Sequence, residues 1–239
     1  MSCLIFYVAY TLAIFNFNEG SIDQKALQFF REAYIKNDRG DYYGAIQDYS
    51  MAININPNYE KAYNNRGIAH FKINEFVDAI KDFSKAIEID PNSSDAYYNR
   101  GIAKGSLGDY IGAIKDFNKT LELDPSVLGA YSNRGIAAGN IGLFKDALLD
   151  FNKVISINPD YTDIYYNRGM AKNALRDYKG ALEDFNKAIT IDPKIGDAYY
   201  NRGMTKYYLG DYSGACKDWS KAGELNQFAG YDWIKRYCK

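Results

Sequence analysis

The sequence has few of the residues on which enzymes most often rely. It contains one histidine, three cysteines, two tryptophans and five prolines among its 239 residues. The only histidine, His70, has no second histidine with which to form a metal site or a proton relay. The cysteines do not show the spacing of a zinc site, and no glycine-rich phosphate loop follows a predicted strand. We therefore expect a protein without catalytic activity, without a bound metal and without a cofactor.

An excess of charge of either sign is also missing. The chain has 29 Lys and Arg against 30 Asp and Glu, which gives a formal net charge of −1. Proteins that bind DNA or RNA need clustered positive charge to neutralise the phosphates. The charge balance therefore argues against nucleic acid as a partner.

The sequence lacks a hydrophobic run long enough to span a bilayer. Residues 3–15 form an apolar run of 13 residues, and a membrane-spanning helix needs about 20. Residues 1–25 match the apolar part of an export signal in length, although no Lys or Arg precedes the run and no cleavage site is obvious after it. Three alternatives stay open: an export signal or its remnant, an apolar helix packed on the following residues, and a membrane anchor. The first and third predict a periplasmic, secreted or membrane-anchored protein, and the second allows a cytoplasmic one.

Repetition, in contrast, is abundant. The segment from Tyr97 to Pro125 recurs with one period from near residue 26 almost to the C-terminus. A glycine in five units, an aromatic residue in all six and a proline in five recur at steps of 34 residues. A fixed period of this size predicts an array of repeats rather than one globular core. The marker residues are Gly67, Gly101, Gly135, Gly169 and Gly203, then Tyr49, Phe83, Phe117, Phe151, Phe185 and Trp219, then Pro57, Pro91, Pro125, Pro159 and Pro193.

Each repeat predicts a pair of helices. Between residues 97 and 107 apolar side chains recur at helical spacing, and Gly108 ends the segment. Residues 110–123 form a second amphipathic helix, which stops before Pro125 because proline has no N–H and disfavours helix in the residue before it. The repeat unit is therefore a helical hairpin.

This pattern resembles the tetratricopeptide repeat, a 34-residue helix-turn-helix unit. The resemblance implies an all-α fold, a right-handed α-solenoid of six helical hairpins followed by a capping helix at 230–239. It also implies a non-enzymatic scaffold that binds a protein or peptide, with membrane contact only through residues 1–25 if at all. The alternatives are a cell-envelope assembly or secretion accessory protein and the regulatory arm of an enzyme. The predicted units span 26–229, as 26–59, 60–93, 94–127, 128–161, 162–195 and 196–229.

An arginine precedes each marker glycine, and an aspartate recurs once in the second helix of each repeat. A catalytic carboxylate pair would be unique, so this recurrence indicates an architectural role. We predict a ladder in which each partly buried arginine pairs with an aspartate of an adjacent helix. Pairing within a repeat would leave Asp48 unused, whereas pairing to the following repeat would leave Asp218 unused. The ladder residues are Arg66, Arg100, Arg134, Arg168 and Arg202 with Asp48, Asp82, Asp116, Asp150, Asp184 and Asp218.

An asparagine stands before each of these arginines, at a position that the resemblance places in a concave groove. A carboxamide both donates and accepts hydrogen bonds, so a row of them can hold the backbone of an extended peptide. The repeats of O-linked N-acetylglucosamine transferases are similar in this respect, and the alternative is that each asparagine bonds a neighbouring helix. Aromatic and apolar side chains should share this face, with Asp95, Asp163 and Asp197 at its rim. The predicted groove residues are Asn65, Asn99, Asn133, Asn167, Asn201, Tyr98, Tyr166, Tyr200, Ile102, Ile136, Met170 and Met204.

Two of the three cysteines predict a disulfide. Cys216 lies in the second helix of the sixth repeat, Cys238 lies in the capping helix, and each is 11 residues from Gln227. If these helices pack antiparallel about a turn at Gln227, the two thiols face each other. A Cα separation above about 7 Å would exclude the bond. A disulfide also requires an oxidising compartment, and the alternative is two free thiols in contact.

Overall fold

The computed structural model describes residues 24–238. The prediction for residues 1–25 therefore lies almost wholly outside the described residues. Every regular element in the described part of the chain is a helix, and a one-turn 3-10 helix at Phe228–Gly230 precedes the last one. The helices are α1 (24–38), α2 (Tyr42–Ile55), α3 (Glu60–Lys72), α4 (Phe76–Ile89), α5 (Ser94–Ser106), α6 (Tyr110–Leu123), α7 (Leu128–Asn140), α8 (Phe144–Ile157), α9 (Thr162–Ala174), α10 (Tyr178–Ile191), α11 (Gly196–Tyr208), α12 (Tyr212–Glu224) and α13 (Tyr231–Tyr237).

The helices pair as consecutive hairpins within two compact units. The first unit ends at Asp124 and contains α1 to α6, whereas the second begins at Pro125 and contains α7 to α13. In each unit the second helix of one hairpin also packs against the first helix of the next, as α4 does with α5 and α10 with α11. Between residues 24 and 238, no helix has both the length and the apolar character needed to cross a membrane.

The turn inside each hairpin needs one residue with positive φ. Gly108 has a φ of 82° between α5 and α6, a conformation that glycine adopts without steric cost. Asp109 then caps α6, because its carboxylate accepts a hydrogen bond from the backbone N–H of Gly112 at 2.9 Å. Helix α6 ends at Leu123, two residues before Pro125, as the sequence predicts.

The marker glycine of each hairpin lies against the marker aromatic ring. A Cβ added to Gly101 would lie 2.7 Å from Cε1 of Phe117, closer than carbon atoms approach. Phe117 is 2% exposed and Ala113 is fully buried beside it. The absence of a side chain at Gly101 therefore makes room for the ring. The same contact joins Gly67 to Phe83, Gly135 to Phe151, Gly169 to Phe185 and Gly203 to Trp219.

We predict that Gly101→Ala destabilises the protein by about 1 to 3 kcal/mol, since the new methyl group overpacks the Phe117 ring. Gly105→Ala in the same helix is the matched control, because its added Cβ would lie 3.9 Å from Cβ of Ala113, an ordinary contact. This control should be neutral or stabilising by up to about 1 kcal/mol, because alanine loses less backbone entropy than glycine. Urea unfolding followed by circular dichroism measures both, and equal effects would contradict the explanation.

Each ladder arginine pairs with the aspartate of its own hairpin, which confirms the predicted ladder and selects pairing within the repeat. Arg100 donates from Nε to Oδ2 of Asp116 at 2.9 Å and from Nη2 to Oδ1 at 2.7 Å. Asp116 is only 4% exposed. The remaining aspartate, Asp48, pairs with Lys36 at 2.6 Å. The other bidentate pairs are Arg66 with Asp82, Arg134 with Asp150, Arg168 with Asp184 and Arg202 with Asp218.

The third nitrogen of the guanidinium group joins one hairpin to the preceding one. Nη1 of Arg100 donates to Oγ of Ser84 on α4 at 3.1 Å, and the guanidinium carbon lies 5.5 Å from the ring centroid of Tyr97, within the range of a cation–π contact. A single side chain thus contacts both helices of its own hairpin and one helix of its neighbour. The equivalent bonds are Arg66 to Ser50, Arg168 to Asn152 and Arg202 to Asn186.

Removal of one ladder carboxylate should be strongly destabilising. Asp116→Ala leaves Arg100 and Lys104, which both pair with Asp116, partly buried without a counter-charge, and the loss should be about 3 kcal/mol or more. Glu122→Ala is the control, because it removes the partner of Lys119 in an exposed ion pair and should change the unfolding free energy little. Urea unfolding compares the two variants, and a loss for Asp116→Ala no larger than that of the control would refute the role of the ladder.

Helix α13 folds back onto the last hairpin. Cys216 and Cys238 lie in disulfide geometry with a Cα–Cα distance of 5.7 Å, inside the 7 Å limit set from the sequence. The ring of Trp233 lies 5.5 Å from that of Trp219 and 5.6 Å from that of Tyr207. Helix α12 ends at Glu224, slightly earlier than the expected end near residue 226, because Asn226 has a φ of 64° and cannot continue the helix.

Candidate functional site

The first helices of neighbouring hairpins form a common face within each unit. In the second unit α9 contacts both α7 and α11, and in the first unit α3 contacts α5. All twelve predicted groove residues lie on these helices and are half-buried or exposed. In the first unit these are Asn65, Tyr98, Asn99 and Ile102, and in the second unit they are Asn133, Ile136, Tyr166, Asn167, Met170, Tyr200, Asn201 and Met204.

The asparagines of this face differ in their hydrogen bonds. Asn65 donates to the carbonyl oxygen of Lys61 in its own helix at 2.8 Å. Asn99 donates instead to Oδ1 of Asn64 in the preceding hairpin at 3.1 Å. The side chain of Asn167 has no hydrogen bond to any other residue between 24 and 238. The row therefore includes asparagines that bond neighbours, as the alternative interpretation expects, and one whose carboxamide is available.

Asn201 links two first helices of the second unit. Its Nδ2 atom donates to the carbonyl oxygen of Asp197 at 2.9 Å and to Oη of Tyr166 at 3.2 Å. The ring of Tyr166 lies 6.0 Å from the buried ring of Phe185. Burial raises the pKa of Tyr166, and the negative charge of Asp197 raises it further. The phenol therefore remains protonated at neutral pH and can donate its own hydrogen bond.

A cavity of about 360 Å³ opens on this face between α7, α8 and α9. It brings together four of the predicted groove residues: Ile136, Tyr166, Asn167 and Met170. Ile136 and Met170 are 37% and 40% exposed, so their apolar side chains meet solvent. The other lining residues were not predicted as groove residues: Gly135, Gly139, Asn140, Phe144, Phe151, Ala171 and Ala174.

Carboxylates lie beside this face, at the N-terminal end of α9. The exposed Asp163 precedes Asn167 by four residues and therefore shares its side of the helix. Asp160, Asp163 and Asp192 line a shallow depression together with Asn158 and Tyr161. Neither this depression nor the cavity of α7, α8 and α9 has a lysine or arginine among its lining residues.

His70 lies on α3 of the first unit, at the edge of the arginine ladder. Its Nδ1 atom is 2.6 Å from Oε2 of Glu75, and its Nε2 atom is 3.8 Å from Oδ2 of Asp82. Lys104 occupies the same position in the next repeat and contacts Asp116. These contacts fit the structural role predicted for the histidine. Across residues 24–238, no group of three or more His, Cys, Asp and Glu is placed to hold a metal ion.

The sequence and fold place the chain in a known family. The tetratricopeptide repeat model matches residues 60–93, 94–127 and 162–195, and a second TPR repeat model matches residues 33–74. Together the matches cover more than half of the chain, which belongs to the tetratricopeptide repeat family. The expected fold class, an all-α array of tetratricopeptide hairpins, is thereby confirmed. No curated protein matches the sequence.

Several solved structures share this fold. YrrB, described as a TPR protein with an unusual peptide-binding site, is 24% identical with a TM-score of 0.68 over 78% of this chain and 97% of its own. MamA (41-end) from Desulfovibrio magneticus RS-1 is 25% identical with a TM-score of 0.67 over 71% of this chain and 96% of its own. The Cut9–Hcn1 hetero-tetramer of the APC/C is 15% identical with a TM-score of 0.72 over 90% of this chain and 43% of the matched chain.

Proposed function

We propose that this protein is an interaction scaffold that binds an extended segment of a partner protein along its first helices. The tetratricopeptide fold is in general a scaffold for contacts between proteins, and in YrrB the same fold has a peptide-binding site. The observation that carries the proposal is the cavity of α7, α8 and α9, where the unbonded carboxamide of Asn167 lies beside the exposed side chains of Ile136 and Met170.

The chemistry of this face suits a polypeptide backbone. Each peptide unit offers one N–H and one C=O, and a carboxamide can satisfy both without reading the side chains of the ligand. Asn167 can do so directly, whereas Asn99 and Asn201 would exchange their present bonds for bonds to the peptide. The apolar neighbours would add hydrophobic contact area. Because the groups that line the cavity are neutral amides, a phenol and apolar side chains, we propose a protein or peptide partner and no catalysis.

The asparagine row can be tested with peptides that immobilised full-length protein selects from a random peptide library. Each hydrogen bond contributes about 0.5 to 1.5 kcal/mol net, so the double variant Asn133→Ala with Asn167→Ala should bind a selected peptide about tenfold more weakly or worse. The measurement is fluorescence polarisation with labelled peptide, and the thermal unfolding midpoint should barely change. Asn92→Ala, in an exposed turn of the first unit, is the control and should bind as the unchanged protein does. Unaltered affinity combined with a lower midpoint would support the alternative, in which the asparagines only join helices.

The disulfide geometry of Cys216 and Cys238 supports a second, finer proposal about location. Disulfides persist in oxidising compartments and are rare in the cytosol, and the apolar run at residues 3–15 is compatible with export. We propose that the protein is exported, to the periplasm, the cell exterior or the outer face of a membrane, where it would assist envelope assembly or secretion. A cytoplasmic protein with two free thiols is the competing hypothesis.

The disulfide proposal has a chemical and a thermodynamic test. Protein alkylated in its native compartment should show no free thiol at Cys216 or Cys238 by mass spectrometry. The bond closes a loop with a sequence separation of 22, so Cys216→Ser should destabilise the oxidised protein by roughly 3 kcal/mol on the loop-entropy model. Cys3→Ser is the control and should have no such effect. Alkylation of both thiols in native material, or equal stability of oxidised and reduced protein, would refute the proposal.

A further inference from the structure

The cavity of α7, α8 and α9 lies beside a repeat position that carries an aromatic ring in two hairpins and no side chain in the fourth. Position 139 is glycine, as is Gly105 at the same position of the third hairpin, whereas this position holds Phe71 in the second hairpin and Tyr207 in the sixth. Those rings pack on the first aromatic residue of the next helix: Phe71 lies 5.2 Å from Phe76, and Tyr207 lies 5.2 Å from Tyr212. The counterpart of these partners in the fourth hairpin is Phe144, which lines the cavity. Phe144 therefore lacks the ring that covers Phe76 and Tyr212.

The vacant position is open enough to receive a side chain from elsewhere. A Cβ added to Gly139 would meet no atom within 4 Å. The cavity of about 360 Å³ is far larger than the roughly 30 Å³ that a water molecule occupies, so an aromatic or long aliphatic side chain fits. Ile136, Phe144 and Met170 surround the space with apolar atoms, and covering them removes apolar surface from water.

Polar groups beside the cavity can bond the backbone of a bound chain. Tyr166 and Asn167 precede Met170 by four and three residues on α9, so all three lie on one side of that helix. The unbonded carboxamide of Asn167 can hold a peptide unit of a chain that runs along α9. A side chain of that peptide can then enter the open space at Gly139.

The charge near this face favours a basic residue in the same peptide. Asp163 lies on the same side of α9 as Asn167, and Asp160 and Asp192 share its depression without any lining lysine or arginine. From Asp163 to Met170 the helix rises about 10 Å. An extended peptide advances about 3.3 Å per residue, so about three residues separate a group at Asp163 from a group at the cavity.

We propose that the cavity is an anchor pocket for one bulky apolar side chain of a peptide that also carries a lysine or arginine two to four residues away, opposite Asp163. The anchor pocket comprises Ile136, Gly139, Phe144, Asn167 and Met170. This inference rests on the proposed function, because it specifies which peptide the groove selects. It concerns one pocket of the second unit and does not depend on the rest of the asparagine row.

The first test is the sequence preference of the protein. A random 12-residue peptide library selected on the immobilised full chain should enrich an aromatic or long aliphatic residue with Lys or Arg two to four positions away. Failure to select any peptide would refute the proposed function, and the anchor pocket with it. Enriched peptides without this pairing would refute the anchor pocket alone and leave the peptide-binding function intact.

The second test introduces an aromatic side chain of the protein itself into the anchor pocket. Gly139→Phe places a ring where Phe71 and Tyr207 already stand in other hairpins, so the fold should accept it. A selected peptide should bind this variant at least tenfold more weakly, which corresponds to about 1.4 kcal/mol. Gly105→Phe makes the same change at the same repeat position of the third hairpin and is the matched control, expected to bind normally. Equal affinity for Gly139→Phe and the unchanged protein would overturn the proposal.

The role of Asp163 can be separated from that of the pocket. Asp163→Asn should weaken a selected peptide several-fold, and should have no effect on the same peptide with its basic residue replaced by glutamine. An equal loss for both peptides would show that Asp163 does not contact the basic residue, which would overturn that part of the proposal.

Direct observation is feasible because the chain has only four methionines. With methionine methyl groups labelled with carbon-13, a selected peptide should shift the NMR signal of Met170, assigned with Met170→Leu, and leave that of Met51 unchanged. Shifts confined to Met51 would place the peptide elsewhere and overturn the proposal. Concentration-dependent dimerisation that Gly139→Phe abolishes would assign the pocket to a second copy of the chain and overturn it as well.

Discussion

The stacking of the hairpins depends on a guanidinium group that is bonded on every side. Arg100 illustrates the arrangement: Asp116 binds two of its nitrogens, Ser84 of the preceding hairpin accepts from the third, and Tyr97 covers its face. A partly buried arginine without these partners would cost several kcal/mol. Displacement of one hairpin along its neighbour would break these bonds, so the ladder selects one register as well as adding stability.

The arginine–aspartate ladder is different in the first hairpin, which has no arginine at the ladder position. The first hairpin has Glu32 and Ala33 at the positions of arginine and glycine, and Lys36 alone holds Asp48. Tyr49 stands where the other hairpins have phenylalanine or tryptophan. Its hydroxyl is buried and has no hydrogen-bond partner among residues 24–238, and burial raises the pKa of Tyr49. A lysine supplies one point charge instead of a planar fork. The first hairpin therefore holds its aspartate with fewer and less directional bonds than the others.

The sequence predicts this scaffold well because the same requirement recurs at the same step. Three features recur for one physical reason each: a glycine that makes room for an aromatic ring, an arginine that pairs with an aspartate, and a proline that follows the second helix. Because each feature repeats at the same step, it can be distinguished from a chance pattern. The cavity follows no such rule, since Gly139 and Asn140 occupy positions where other repeats have Phe71, Tyr207 or Tyr208. The 34-residue period identifies the residues that the repeats share, whereas the cavity is formed by residues that differ between repeats. The hydrogen bonds of the asparagines were equally unpredictable, because they depend on non-repeating partners such as Asn64 and Tyr166.

The repeating and the non-repeating residues lie in different environments, which explains why only the first are constrained. Ladder and core positions are buried, so a change there leaves a charge unpaired or a ring overpacked. Position 139 faces open space and accepts glycine, phenylalanine or tyrosine in different hairpins without altering the contacts beneath it. Substitutions on the accessible face can therefore reshape the binding surface at little cost in stability. On the proposed function, binding specificity follows from the least repetitive residues, because the repetitive residues hold the helices together.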